Sequence, residues 1–165
     1  KLKPIMPDKV MNYVIEKLEI SDYRSELITS FAQGIIGKAK ELASSTEFFD
    51  MRESMIKIVD IIINGDDYQL LEVSQKFEDY KDDIQDFLDL LMTWFRDLLI
   101  VKKINDEMYI INRDKYRTLL KQAQVLSYNR ISIMIENINK AKNLLKQNAN
   151  FRLVIEMMIL QTKEN

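Results

Sequence analysis

Apolar side chains recur along most of this chain at every third or fourth position, which is the spacing of an α-helix and not the alternation of a β-strand. The pattern is strongest in segment 82–103, where apolar side chains would cover more than half of a helical circumference. A helix on the outside of a domain needs an apolar stripe of only about 100°. We therefore predict that segment 82–103 forms a central helix, about 33 Å long, that other helices enclose.

Eight further helices are predicted from the same spacing, from polar N-cap residues and from the positions of glycine and proline. Five precede the central helix, at 7–18, 22–33, 35–43, 48–63 and 67–77, and three follow it, at 114–125, 127–147 and 151–160. Segment 104–113 contains a short alternating run, but a lone strand would have no partner, so we predict a loop. The last helix is apolar except at Arg152 and Glu156, which predicts that other helices or a partner subunit enclose it.

The composition favours an all-α fold. The 165 residues include only 3 glycines and 2 prolines, too few for the many tight turns of a β-sandwich or a β-barrel. Apolar residues make up 47% of the chain, which is enough for a hydrophobic core. The chain begins at Lys1, and we interpret it as the C-terminal portion of a longer protein.

The charge balance and the missing residue types exclude several classes of function. With 24 Lys and Arg against 26 Asp and Glu, the chain lacks the basic surplus that dominates affinity for nucleic acids. The absence of Cys and His excludes zinc fingers, disulfides, thiol chemistry and imidazole catalysis. The sequence has no secretory signal and no apolar run long enough to cross a membrane, so we predict a cytoplasmic location.

Two stretches invite a ligand-binding interpretation. Asp82, Asp86 and Asp89 share a helical face and could hold a hard metal ion, but a solvated acidic face is favoured because ion sites in helical bundles combine Glu with His. Segment 34–38 contains two glycines and a lysine, but it follows a helix and lacks the Ser or Thr of a phosphate-binding loop. We therefore predict no catalytic residue, no cofactor site and no metal site in this chain.

Three stretches together resemble the clamp-loader subunits of bacterial DNA polymerase III, and among them the delta-prime type. Segment 30–39 is similar to the turn that closes the lid of the AAA+ module, segment 94–99 (WFRDLL) to a motif of the collar domain, and segment 148–153 (NANFRL) to the closing motif of the family. The order and spacing of these motifs extend over nearly the whole chain. The chain departs from the family at Phe151, where Pro is usual, and at Lys38, where Arg is usual.

Gly37 bears on which type of subunit the chain resembles. In ATP-hydrolysing clamp-loader subunits the corresponding turn carries a sensor arginine that reaches the nucleotide, and this chain has Gly37 instead. The resemblance therefore implies the non-hydrolysing delta-prime type, which acts as a rigid stator. Two alternatives stay open: the C-terminal region of an ATP-hydrolysing clamp-loader subunit, and an unrelated helical adaptor that binds a partner helix in a groove.

The resemblance also implies two structural units. Residues 1–44 would form the end of an AAA+ lid domain, and residues 45–165 a helical collar domain that assembles with other clamp-loader subunits. Such assemblies open the sliding clamp and place it on primed DNA. The chain would then be a non-catalytic assembly module without a cofactor.

Five side chains are candidates for the interface between subunits. On the central helix, Ile100 falls on the polar side near Arg96 and Asp97, so we expect an exposed apolar anchor with a polar rim. Arg152 and Glu156 are the polar side chains of the last helix. Since Ile100 is expected to make no core contact, the substitution Ile100→Asp is expected to weaken assembly and to leave the fold intact.

Overall fold

The structure is a computed structural model that describes residues 5–104 and 106–162. Within the first of these ranges, only the backbone of Asp22 is described. Nine α-helices and no β-strand are found in this part of the chain, which confirms the predicted all-α fold. The α-helices are α1 (Pro7–Leu18), α2 (Asp22–Ala32), α3 (Ile36–Ser44), α4 (Thr46–Asn64), α5 (Asp67–Lys76), α6 (Ile84–Lys103), α7 (Tyr116–Val125), α8 (Tyr128–Lys146) and α9 (Phe151–Leu160). Three short 3-10 helices lie at Phe77–Tyr80, Glu107–Tyr109 and Arg113–Lys115.

The helix bounds differ from the predicted ones by at most two residues. The central helix α6 begins at Ile84 because a 3-10 helix and a turn at 82–83 come before it. Helix α7 begins at Tyr116 because the 3-10 helix Arg113–Lys115 precedes it. The described residues between α6 and α7 form no strand, so the prediction of a loop there is also confirmed.

Helix α6 is the centre of the core, as predicted. It packs on α4, α7 and α8, and at its start Phe87 lies between two aromatic rings. The centroid of its ring is 5.0 Å from that of Phe77, edge to face, and 4.6 Å from that of Tyr80, stacked. Each large apolar side chain buried in this way contributes about 1.5 to 3 kcal/mol. The buried residues of α6 are Ile84, Phe87, Leu88, Leu90, Leu91, Trp94, Phe95, Asp97, Leu98 and Val101.

Helix α9 packs on both α5 and α8. Asn150 caps its first turn, because the Asn150 side-chain oxygen accepts a hydrogen bond from the backbone N–H of Leu153 at 3.0 Å. One side of the helix is buried through Val154, Ile155, Met158 and Ile159. The other side is open to solvent, so the other helices enclose this apolar helix only in part.

Helices α1, α2 and α3 pack mainly on one another, and α3 ends at Ser44, where the sequence predicted a boundary. These helices are nevertheless joined to the rest of the fold. The rings of Phe31 and Phe48 meet edge to face with centroids 5.3 Å apart, and the guanidinium of Arg24 lies 4.2 Å from the ring centroid of Phe49. The hydrophobic core therefore runs without interruption from α1–α3 into α4–α9.

Candidate subunit-interface surface

Asp97, one of the predicted interface residues, is completely buried. Its carboxylate accepts hydrogen bonds from the backbone N–H of Ile111 at 3.2 Å and of Asn112 at 2.8 Å, and from the Asn112 side-chain amide at 2.8 Å. The Arg96 guanidinium donates a further bond at 3.3 Å. The prediction that Asp97 lies on an exposed polar face is therefore wrong, because the loop between α6 and α7 folds back over that side of α6.

Opposing effects act on the pKa of the Asp97 carboxyl group. Burial raises its pKa above the ordinary value for an aspartate, while the N–H donors of Asn112 and Ile111 and the charge of Arg96 act in the other direction. All four neighbouring groups are donors, and a carboxylate is an acceptor only. Asp97 thus fixes the loop against α6, and it is not available to a partner.

Ile100 is half-buried and packs against the core, which contradicts the prediction of an exposed anchor. The reason is again that α6 has neighbours on more sides than a helical wheel built from its own sequence indicates. Arg96 is about half exposed and stays accessible to a partner. Of the three candidates on α6, only Arg96 therefore lies on the surface as predicted.

The packing of Ile100 changes the result expected from its substitution. The variant Ile100→Asp places a carboxylate among apolar side chains, and we expect it to lower the free energy of unfolding by about 2 kcal/mol. A thermal unfolding experiment on the chain measures this directly. A thermal midpoint equal to that of the wild type would show that Ile100 contributes little to the core.

A buried polar network lies behind the loop and was not predicted. Arg52 of α4 is 4% exposed. Its Nε and Nη2 donate to the side-chain oxygen of Asn112 at 3.1 and 2.9 Å, and its Nη1 and Nη2 donate to the carboxylate of Asp114 at 3.0 and 2.7 Å. We call Arg52, Asp97, Asn112 and Asp114 the polar network. It ties α4, α6 and the loop before α7 to one another.

The sequence did contain a signal for this network. Arg52 stands three residues before Met55 and seven before Val59, both of which are buried on the inner face of α4. A charged residue in register with an apolar face is rarely buried without a partner. The partners, however, lie about 60 residues further along the chain, so helical spacing alone does not identify them.

The motif at 94–99 is also explained by packing. The indole N–H of Trp94 donates to the side-chain oxygen of Gln122 on α7 at 2.9 Å, and both side chains are buried. Two residues of the motif, Trp94 and Asp97, therefore attach α6 to α7 and to the loop between them. This function is structural, so the interface between subunits must be sought on other residues.

The outer face of α9 presents such residues. Leu153, Met157 and Leu160 are 55%, 46% and 60% exposed, and their spacing of four and three residues places them on one side of the helix. We call these three residues the α9 stripe. Large apolar side chains that line up on an exposed face are typical of a protein–protein contact.

The two remaining interface candidates flank the α9 stripe. Arg152 Nε donates to Glu156 Oε1 at 2.8 Å, and Arg152 is well exposed whereas Glu156 is largely covered. The hydrogen bond to Glu156 raises the pKa of Arg152 further, so the guanidinium stays charged. The arrangement is an apolar strip beside a paired ionic rim, as in many interfaces between subunits.

Two acidic residues of α6 form ion pairs with lysines. Asp86 lies 3.6 Å from Lys38, and Asp89 is paired with Lys142 of α8. Among the residues that the structure describes, no group of three or more acidic side chains is placed to hold a metal ion. Within residues 5–104 and 106–162, no helix has both the length and the apolar character needed to cross a membrane.

Comparison with known proteins identifies the family. The family model for the C-terminal region of the delta subunit of DNA polymerase III matches residues 46–164, which is most of the chain and begins at the first residue of α4. No curated protein matches the sequence significantly. The chain therefore belongs to this DNA polymerase III delta family and contains the C-terminal region of one of the clamp-loader subunits.

Proposed function

We propose that this chain is the assembly module of a delta-prime-type clamp-loader subunit, joined to the other subunits through its collar. Residues 45–165 form that collar, and residues 1–44 are the end of an AAA+ lid domain. The module is non-catalytic, binds no cofactor and works in the cytoplasm. Through its neighbours it supports the loading of the sliding clamp onto primed DNA.

The observation that carries this proposal is the exposed α9 stripe in a chain of the clamp-loader family. Leu153, Met157 and Leu160 stay in contact with water although α9 already packs on α5 and α8. Covering such side chains in an assembly removes apolar surface from water at about 25 cal/mol per Å². Among the five predicted interface residues, Arg152 and Glu156 lie on this helix, so the rim of the contact is also accounted for.

The delta-prime type is supported by the region around Gly37. Gly37 is exposed at the start of α3, and a Cβ atom added there would meet no other atom within 4 Å. The site would therefore accommodate the larger sensor residue of an ATP-hydrolysing subunit, yet the chain has glycine. Packing does not require glycine at this position, which is consistent with a subunit that has no need to contact nucleotide.

Of the alternatives drawn from the sequence, the C-terminal region of an ATP-hydrolysing clamp-loader subunit stays open. Titration of the full-length protein with ATP separates the two, because an ATP-hydrolysing subunit binds nucleotide and the delta-prime type does not. The third alternative, an adaptor unrelated to clamp loaders, is excluded by the family match.

The proposal is tested by Leu153→Asp. The side chain is exposed, so we expect a thermal midpoint close to that of the wild type. In the assembled clamp loader the same carboxylate would be buried without a partner, at a cost of about 2 kcal/mol or more. Affinity for the other subunits, measured by pull-down or by titration with the full-length protein, should fall by more than about tenfold.

Val125→Asp is the matched control, because Val125 is also an exposed aliphatic residue, at 64%, but lies at the end of α7, which packs on α6. This variant should assemble normally. Normal assembly of Leu153→Asp would contradict the proposed interface. Failure of the wild-type protein to bind any of the other clamp-loader subunits would contradict the proposed function itself.

A further inference from the structure

A groove of about 100 Å³ lies between α8 and α9, next to the α9 stripe. Its apolar lining includes Leu144 of α8 and Met157 of α9, which are 41% and 46% exposed. Met157 belongs to the α9 stripe as well, so the groove and the stripe form one continuous surface. The volume suits one branched aliphatic side chain entering from outside.

The groove contains a buried polar group that lacks a partner. Asn137 of α8 is 6% exposed and lines the groove. Its side-chain nitrogen, Nδ2, has no hydrogen-bond partner among the residues that the structure describes. Leaving a buried donor unsatisfied costs about 1 to 3 kcal/mol. Buried polar groups in folded proteins are nearly always paired, so this donor points to an acceptor that a bound molecule supplies.

The charges of the groove indicate what kind of acceptor that is. Lys140 stands three residues after Asn137, so both side chains lie on the same face of α8. Lys140 also lines the groove, and no acidic side chain does within the described residues. An ammonium group and an amide donor on one face, with no nearby counter-charge in the lining, are complementary to a carboxylate.

We propose that the groove receives an amphipathic helix of a neighbouring clamp-loader subunit. One aliphatic side chain of that helix fills the space between Leu144 and Met157. An Asp or Glu one turn away on the same face accepts hydrogen bonds from Asn137 Nδ2 and from Lys140. This is the helix-in-groove mode of recognition, with an apolar anchor and one polar group that fixes the register. The inference rests on the proposed function and specifies its interface.

The test uses Asn137→Leu, which removes the donor and keeps a side chain of similar size. Because an unpaired buried donor is lost, the thermal midpoint of the variant should equal or exceed that of the wild type. Affinity for the other clamp-loader subunits should nevertheless fall about tenfold, since a hydrogen bond to a carboxylate is lost. A gain in stability together with a loss of affinity is not expected of a residue with a purely structural role.

Two further variants complete the design. Lys140→Glu changes only an exposed side chain, so it tests the same contact even if Asn137→Leu does not fold, and it should also lose about tenfold in affinity. Asn139→Leu is the matched control, because Asn139 is exposed on α8 and does not line the groove. It should bind as the wild type does.

The partner helix is identified by a photo-crosslinking amino acid at position 144 of the full-length protein in the assembled clamp loader. Cross-links should fall on a neighbouring subunit, within one helical turn of an Asp or Glu. The inference is overturned if wild-type protein assembles and both Asn137→Leu and Lys140→Glu assemble equally well, or if no cross-link reaches another subunit. If the wild type itself does not assemble, the proposed function fails instead.

Discussion

Replacing Arg52 with Met is expected to lower the free energy of unfolding by about 3 to 5 kcal/mol. The guanidinium is buried, and it donates four hydrogen bonds, two to Asn112 and two to Asp114. Methionine has a similar length but donates none of these bonds, so the buried amide oxygen of Asn112 and the partly exposed carboxylate of Asp114 lose their partners. Thermal or urea unfolding of the chain measures the loss.

Arg152→Met is the matched control for this prediction. It is the same substitution, and the arginine it removes also forms an ion pair, with Glu156 at 2.8 Å. Arg152 is well exposed, however, and exposed ion pairs contribute at most about 1 kcal/mol. If both variants lower the free energy of unfolding equally, then burial is not the reason that Arg52 stabilises the fold more than an exposed ion pair does.

The helices of this fold were largely predictable from the sequence because their signals are local. Apolar spacing placed α6 at the centre, and Asn150 marked the start of α9, where its side chain accepts a hydrogen bond from a backbone N–H. The starts of α6 and α7 were predicted too early because 3-10 turns precede them. The backbone of a 3-10 turn is also helical, but its hydrogen bonds differ from those of an α-helix. The spacing of apolar residues therefore does not show where the turn ends and the α-helix begins.

The polar network was not predictable in the same way, because its contacts join distant parts of the chain. Asp97 and Asn112 are 15 residues apart, and Arg52 and Asn112 are 60 residues apart. A helical wheel of α6 shows Asp97 among polar residues and therefore predicts a solvated face. Only the path of the loop after α6, which covers Asp97, makes that side chain part of the interior.

The residues of the α9 stripe are more exposed than the sequence of α9 alone would indicate, whereas Asp97 is more buried than predicted. An almost entirely apolar helix predicted enclosure by other helices or by a partner subunit, and the fold supplies only one side of that enclosure. The burial of Val154 and Ile155 accounts for the inner side of α9, while Leu153 and Met157 are left on the outer side. The apolar residues of α9 that the fold leaves exposed are therefore the ones that bear on assembly.

The second large effect is expected for Asp97→Asn, which should lower the free energy of unfolding by about 2 to 3 kcal/mol. One carboxylate oxygen accepts from Asn112 twice, at 2.8 Å each, and the other accepts from Ile111 at 3.2 Å and Arg96 at 3.3 Å. In either orientation, an asparagine would turn its NH₂ group toward donors. The Asn112 amide cannot rotate to compensate without giving up the bonds that its oxygen accepts from Arg52.

The loss should appear as a fall of roughly 5 to 10 °C in the thermal midpoint of the chain. Asp89→Asn is the control, because it is the same substitution on the same helix and it removes the charge of a partly exposed ion pair with Lys142. That variant should lose about 1 kcal/mol or less. If Asp97→Asn unfolds at the wild-type temperature, the hydrogen bonds of Asp97 do not hold the loop to α6. In that case the loop is kept in place mainly by the apolar contacts of Ile110, a buried residue of the loop itself.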